Sequence, residues 1–136
     1  EELQRQIQEV IEQTKIGNVK KRCISALSKG YKQRVGIAQA LLGNPKVIIL
    51  DEPTSGIDPA GVREFMDLIH QLSHEEGLTV LFSSHHLDQV QQVCNRVGLF
   101  SSGKLLADIE LTEQQKKEHG LDDIYNHYFE GGKGHE

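Results

Sequence analysis

The feature that most constrains the fold is an unbroken apolar run, Val47 to Leu50, that ends in two acids, Asp51 and Glu52. The run is rich in β-branched residues and does not alternate with polar ones, which predicts a strand buried on both faces, as in parallel sheets. In open α/β sheets, ligands bind beyond the carboxyl ends of the strands. Two carboxylates are costly there unless a cationic or reactive group shares the site. The run therefore predicts an α/β fold with a functional site at the end of this strand.

Helices and strands alternate around this run, because apolar spacing and the positions of Gly, Pro, Ser and Asp set their boundaries. The predicted elements are a helix over 2–14, a helix from Ser28 to Gly43, the strand 47–50, a helix from Asp58 to Gly77, a strand over 79–82, a short helix through 87–94, a hairpin of strands 96–100 and 105–109, and an amphipathic stretch over 121–129. This order implies α/β architecture with parallel strands. Residues 131–136 are predicted to be frayed.

Composition and charge exclude several classes of protein. The net charge is −5, so the chain is a poor candidate for nonspecific nucleic-acid binding. Its two cysteines are far apart and form no CxxC pair, which favours a reduced cytosolic compartment. No apolar run approaches the roughly 20 residues that a membrane-spanning helix needs. If the protein acts at a membrane, we therefore expect it to do so through a partner protein.

Two segments carry candidate chemistry. Asp51 can hold Mg²⁺, commonly through water, and Glu52 can take a proton from an attacking water. Alternatively, both acids simply cap the next turn, since Pro53 follows them. Ser28 supplies a hydroxyl and Gly30 an approachable backbone at a helix N-terminus, which together make an anion site. An ordinary helix cap is the simpler interpretation of that segment taken alone.

The histidines are the remaining candidates. His85 follows the second strand and is expected to point into the same crevice as Asp51 and Glu52, where it can donate to a phosphate. A lone histidine is more often structural or solvated, as we expect for His86. The histidines at positions 70, 74, 85 and 86 do not form a convincing metal site, and we interpret them as scattered surface and site residues.

Taken in order from Leu27 to about Lys104, these segments resemble the ABC ATPase family. The similar segments are Leu27 to Tyr31 for the signature, usually Leu-Ser-Gly-Gly-Gln; Val47 to Asp51 for the Walker B strand; Glu52 for the catalytic glutamate; Ser55 to Asp58 for the D-loop; and His85 for the switch histidine. Two residues depart from the signature: Lys29 replaces a Gly and Tyr31 replaces the Gln. Ser28 and Gly30 are kept.

The resemblance implies a partial P-loop NTPase core, the ABC cassette, with parallel strands and part of its helical subdomain. Residues 1–44 would be the remainder of the helical subdomain with the signature helix. Residues 45–110 would be the second half of the ATPase core, and 111–136 a C-terminal tail. Residues 121–125 are similar to a closing segment of export-type cassettes, and this similarity favours an exporter.

The phosphate-binding loop GxxxxGK[ST] is absent from this sequence. One near-match spans 98–105, but Leu105 has no hydroxyl for a metal and the next residues predict a strand rather than a helix. We predict a hairpin turn there. The glutamine loop is absent too, so we expect the chain to start inside the helical subdomain and to be inactive by itself.

The resemblance also implies a mechanism in which two cassettes pair head to tail around two ATP molecules. Glu52 would polarise the attacking water, Asp51 would help to hold Mg²⁺, and His85 would contact the γ-phosphate. Ser28 and Gly30 would reach the partner's ATP, and Asp58 would link the two sites.

The implied partners are a second ATPase subunit, identical or paralogous, and a membrane-spanning permease, with no nucleic acid. The subunit would lie in the cytoplasm, at the inner face of the cell membrane, and the permease would choose the substrate. The alternatives are a non-transport ABC ATPase, acting in translation or DNA maintenance, and a degenerate cassette that serves as a binding module.

Overall fold

The structure is a computed structural model that describes residues 1–118 and 120–129. The predicted frayed stretch, 131–136, lies outside the described residues. The chain divides into two compact units, Glu1–Ser84 and one that begins at His85.

The first unit contains three helices and two strands, which confirms the elements predicted for it. They are α1 (Glu2–Gln13), α2 (Lys29–Leu41), β1 (Val47–Leu50), α3 (Pro59–His74) and β2 (Thr79–Phe82). Two short 3₁₀ turns, Gly17–Val19 and Ile24–Ala26, connect α1 to α2. The strands are parallel and in register, from Val47 opposite Thr79 to Leu50 opposite Phe82. This is the parallel pairing that the sequence predicts.

The helix boundaries follow from side-chain caps. Ser28 Oγ accepts the backbone N–H of Tyr31 at 3.4 Å and starts α2. Asp58 Oδ2 accepts the N–H of Gly61 at 3.3 Å, and Pro59 occupies the first turn of α3, where its missing N–H is not needed. Both caps are the ones expected from sequence.

Two apolar clusters hold the first unit together. The larger cluster packs α2 and α3 against one face of the sheet and is formed by Ile37, Ile48, Phe65, Leu68, Ile69, Leu72 and Leu78. The smaller cluster packs α1 and the connecting turns against α2 and is formed by Val10, Ile16, Val19, Leu27 and Ala38. In α3 the buried residues recur every three or four positions, which is the spacing that turns one stripe of a helix towards a core.

The prediction that β1 is buried on both faces is wrong for this structure. Ile48 is buried, but its neighbours Val47 and Ile49 on the opposite face are 53% and 74% exposed. Leu81 of β2 is 60% exposed on the same face. The reason is that α2 and α3 pack on the Ile48 face, and no other element of this unit covers the opposite face.

The second unit is a hairpin with three short helices. Its elements are α4 (Leu87–Val93), β3 (Arg96–Ser101), β4 (Lys104–Glu110), α5 (Glu113–Lys117) and α6 (Gly120–Phe129). Ser102 and Gly103 both have positive φ, 49° and 76°, and form the two-residue turn between the strands. The near-match to a phosphate-binding loop over 98–105 is therefore a hairpin, as predicted.

A buried glutamine organises the helices of this unit. Gln91 donates through Nε2 to the carbonyl of Lys116 at 2.7 Å, and its Oε1 accepts the N–H of Leu121 at 3.0 Å. These bonds tie α4 to the ends of α5 and α6. The helix α5 was not predicted, although Thr112 and Gln115 form a capping box that is readable in sequence.

The exposed sheet face leads to a prediction about surface hydrophobicity. Replacing Ile49 and Leu81 with Thr should lower the binding of an apolar fluorescent dye and leave the free energy of unfolding within about 1 kcal/mol, because little buried area is lost. Ile48→Thr is the matched control on the buried face and should cost about 2 kcal/mol or more. Dye fluorescence and urea unfolding measure both effects. Equal destabilisation by Ile48→Thr and by the double variant at Ile49 and Leu81 would contradict the one-sided packing.

Candidate functional site at the carboxyl ends of the parallel strands

The two acids of the sequence motif lie beside the end of the neighbouring strand. The N–H of Ser83 donates to the carbonyl of Leu50 at 3.0 Å, so the pairing with β1 continues one residue past the end of β2. Ser83 Oγ donates to Asp51 Oδ1 at 2.7 Å and accepts the N–H of Glu52 at 2.8 Å. One hydroxyl therefore fixes the carboxylate of Asp51 and the backbone of Glu52 together.

Sequence reasoning assigned no role to Ser83. The available signal was its position directly after the second strand. In a parallel pair, a residue there can lie beside the residues that follow the neighbouring strand. Its register opposite the two acids depends on the pairing of β1 with β2, which is a tertiary feature.

Glu52 adopts an uncommon backbone conformation. Its φ is +44°, in the left-handed region that non-glycine residues rarely occupy. Such conformations cost about 1–2 kcal/mol and cluster at functional sites. Here the conformation is held by the Ser83 bond and by the N–H of Ser55, which donates to the Glu52 carbonyl at 3.1 Å. The observed outlier thus supports a functional interpretation of this acid.

A compact turn leads from the acids into α3. The N–H of Ile57 donates to the carbonyl of Thr54 at 3.2 Å, and Thr54 is buried. Gly56 has φ +71°, which suits glycine. Asp58 ends the turn and caps α3, so its carboxylate has a structural task in this unit.

The signature-like segment packs against this same turn. A Cβ built on Gly56 would lie 2.5 Å from Lys29 Nζ, so the Lys29 side chain extends across Gly56. A Cβ on Gly30 would lie 3.8 Å from the Cγ2 atom of Ile57. Lys29 and Gly30 are therefore neighbours of the turn that follows the two acids, and Ser28 directly precedes them in the chain.

Tyr31 is engaged in structural contacts at the start of α2. Its hydroxyl accepts a bond from Asn18 Nδ2 at 2.8 Å, and the Arg34 guanidinium lies 5.3 Å from its ring centroid. Arg34 in turn bonds to Glu64 Oε2 of α3 at 2.6 Å. Tyr31 thus connects the α1–α2 turn to the signature helix, and Arg34 connects that helix to α3.

His85 belongs to the second unit, where it is exposed and precedes α4. Its ring lies 4.2 Å from that of His86, with an interplanar angle of 38°. The expectation that His85 shares a crevice with Asp51 and Glu52 concerns both units and stays a prediction.

Comparison with known proteins agrees with this arrangement. Residues 2–55 match the family model described as ABC transporter. The chain is 42% identical to the bacitracin transport ATP-binding protein BcrA of Bacillus licheniformis, over 82% of this chain and 36% of that protein. It is 37% identical to the lantibiotic transport ATP-binding protein SrtF of Streptococcus pyogenes, over 82% of this chain and 46% of that protein.

The chain belongs to the ABC transporter ATP-binding family.

Solved structures of the family share the fold. The cbiO1 protein from Clostridium perfringens, part of an ABC transporter complex, superposes with a TM-score of 0.78 and 32% identity, over 93% of this chain and 49% of that one. The ADP conformation of MJ1267, an ATP-binding cassette of an ABC transporter, superposes with a TM-score of 0.78 and 27% identity, over 92% of this chain and 50% of that one. The present chain therefore has the fold of part of an ABC cassette. It spans less than half the length of the curated relatives named above.

The Ser83 bridge predicts a specific hydroxyl requirement. Ser83→Ala should lower the free energy of unfolding by about 1 kcal/mol, because the bonds to Asp51 and Glu52 are lost at an exposed position. Ser83→Thr keeps the hydroxyl and should lower the free energy of unfolding by less than half as much. Urea unfolding of the two variants measures the difference. An equal loss in both would assign the effect to side-chain shape instead.

The Tyr31 contact predicts energetic coupling between two loops. Tyr31→Phe and Asn18→Ala should each cost about 0.5–1.5 kcal/mol, because each removes the same hydrogen bond. The double variant should then cost less than the sum of the two. A thermodynamic cycle from urea unfolding measures this coupling. Simple additivity would mean that the bond does not contribute to stability.

Proposed function

We propose that this chain is part of the ATP-hydrolysing subunit of an ABC transporter, which binds and hydrolyses ATP as a head-to-tail dimer. The observation that carries the proposal is the Ser83 bridge, which holds Asp51 and Glu52 at the carboxyl ends of two parallel strands. The packing of the signature-like segment against the turn that follows supports it further. Both features occur in a chain whose family is named for ATP binding.

Glu52 is proposed as the residue that orients and polarises the attacking water. Phosphoryl transfer depends mostly on positioning and charge stabilisation, so a base with a fixed backbone is an advantage. The left-handed φ and the bond to Ser83 provide that fixation. Its side chain is partly exposed, which suits contact with a bound water.

Asp51 is proposed to hold Mg²⁺, through an intervening water. The residues present fit this ion, because the exposed Asp51 carboxylate and the Ser83 hydroxyl are hard oxygen donors at one place. When bound, Mg²⁺ would neutralise negative charge on the phosphates. Asp51 keeps its second carboxylate oxygen outside the Ser83 bond.

Ser28 and Gly30 are proposed to contact the ATP of the partner subunit. The Ser28 oxygen accepts the Tyr31 N–H, which leaves the hydroxyl hydrogen able to donate to a phosphate. The adjacent amino end of α2 favours an anion. His85 is proposed to contact the γ-phosphate, and Asp58 to link the two nucleotide sites beyond its capping of α3.

The proposed partners are a second ATPase subunit and a membrane-spanning permease. Within 1–118 and 120–129, the structure contains no helix of the length and apolarity needed to cross a bilayer. From the resemblance to ABC transporters, we propose that the subunit is held at the cytoplasmic face of the membrane by the permease. ATP binding would close the dimer, and hydrolysis would reopen it. Relatives named for bacitracin transport and lantibiotic transport favour a transporter over a non-transport ATPase.

A direct test uses Glu52→Gln in the longer protein that also carries a phosphate-binding loop. We expect retained ATP binding and steady-state hydrolysis reduced by about 100-fold or more, because a general base contributes that much. Glu76→Gln, an exposed acid after α3, is the matched control and should hydrolyse ATP normally. Unchanged turnover in Glu52→Gln would overturn the assignment.

The 136-residue chain itself provides a second test. We expect no ATPase activity and only weak nucleotide binding, because its sequence has no GxxxxGK[ST] loop to cradle the phosphates. Calorimetric titration with Mg-ATP measures this. Tight binding would show that the nucleotide site has been placed wrongly.

A further inference from the structure

Two histidines form a pair at the carboxyl end of α3. His70 and His74 are four residues apart, so they lie one above the other on the same side of the helix. Their rings are stacked, with centroids 3.9 Å apart and an interplanar angle of 13°. Both side chains are exposed.

The hydrogen bonding of His74 determines which of its nitrogens can bind a ligand. His74 Nδ1 lies 3.1 Å from the backbone carbonyl of His70. A carbonyl oxygen only accepts, so Nδ1 must carry the hydrogen. In the neutral ring, Nε2 then presents its lone pair outward. Metal-binding histidines are commonly held in this way, with the other nitrogen donating to a carbonyl or carboxylate.

We propose that His70 and His74 form a two-histidine site for a divalent transition metal. Two histidines at this helical spacing can bind one zinc ion from a single face. Rings 3.9 Å apart need only side-chain rotations for both Nε2 atoms to approach one ion at about 2.0–2.1 Å. Imidazole suits Zn²⁺, Cu²⁺ and Ni²⁺, whereas Mg²⁺ prefers oxygen.

The site has two protein ligands, with water completing the coordination. Among the described residues, no group of three or more His, Cys, Asp or Glu side chains is placed to hold a metal. The sequence analysis likewise found no convincing metal site among the histidines at positions 70, 74, 85 and 86.

The pair is remote from the proposed nucleotide site. It occupies the last turn of a 16-residue helix whose first turn is capped by Asp58. At about 1.5 Å per residue, the two ends are roughly 20 Å apart. Metal binding here can therefore be tested independently of ATP hydrolysis. A bound ion would bridge successive turns of α3 and favour the folded chain over the unfolded one.

The test uses the whole 136-residue chain and Ni²⁺. Nickel is chosen because Cu²⁺ would oxidise the free thiols of Cys23 and Cys94. Calorimetry should show one principal Ni²⁺ site, with selective NMR broadening of the His70 and His74 ring protons. His70→Ala or His74→Ala should weaken binding by at least about tenfold, since loss of an outer partner alone costs about 10–100-fold. Ni²⁺ should raise Tm in the parent chain and not in these variants.

The sharpest control moves one histidine without changing their number. His74→Ala combined with Glu75→His places the pair five residues apart, about 140° around the helix. This variant should bind Ni²⁺ as weakly as His74→Ala alone. His127→Ala removes an exposed histidine of α6, and this variant should bind like the parent chain. Far-UV circular dichroism checks that each variant is folded. Tight binding by the relocated variant, or no stoichiometric binding by the parent chain, would overturn the proposal.

Discussion

The candidate site depends on the parallel pairing of β1 with β2. Parallel strands end at the same edge of a sheet, so the residues that follow them are brought together without any local sequence relation. Here that pairing places the Ser83 hydroxyl between Asp51 and the backbone of Glu52. The turn that follows the acids starts from this fixed point, and the signature-like segment packs on the turn. A change of register between the strands would therefore separate the Ser83 hydroxyl from both acids.

The same two strands expose a surface that has the chemistry of a core. Val47, Ile49 and Leu81 are mostly exposed, although full burial of each would contribute about 1.5–3 kcal/mol. An apolar run without alternation is suited to packing on both faces, as in sheets with helices on each side. The family structures that superpose on this chain are about twice its length. The sequence pattern thus fits a strand covered on both faces in a larger cassette better than a sheet with one face exposed to water.

Features that depend on a few neighbouring residues could be predicted from sequence. The caps at Ser28 and Asp58 are examples, since each side chain bonds to a backbone N–H three residues away. The hairpin turn at Ser102 and Gly103 is another. By contrast, the role of Ser83 and the bond between Asn18 and Tyr31 depend on strand register and on the path of the α1–α2 turn. The spacing of residues in the sequence does not determine these tertiary contacts. The exposure of Ile49 could not be predicted either, because it depends on which elements pack against the sheet.

The two departures from the family signature make physical sense in this fold. Lys29 has space because its side chain extends over Gly56, where a larger residue would meet the ammonium group. Tyr31 replaces a residue at the helix start, and its hydroxyl and ring bind Asn18 and Arg34. Neither substitution removes the Ser28 hydroxyl or the glycine at position 30. Because the substituted side chains bind to the scaffold around the segment, they are compatible with an intact anion site and give no support to a degenerate cassette.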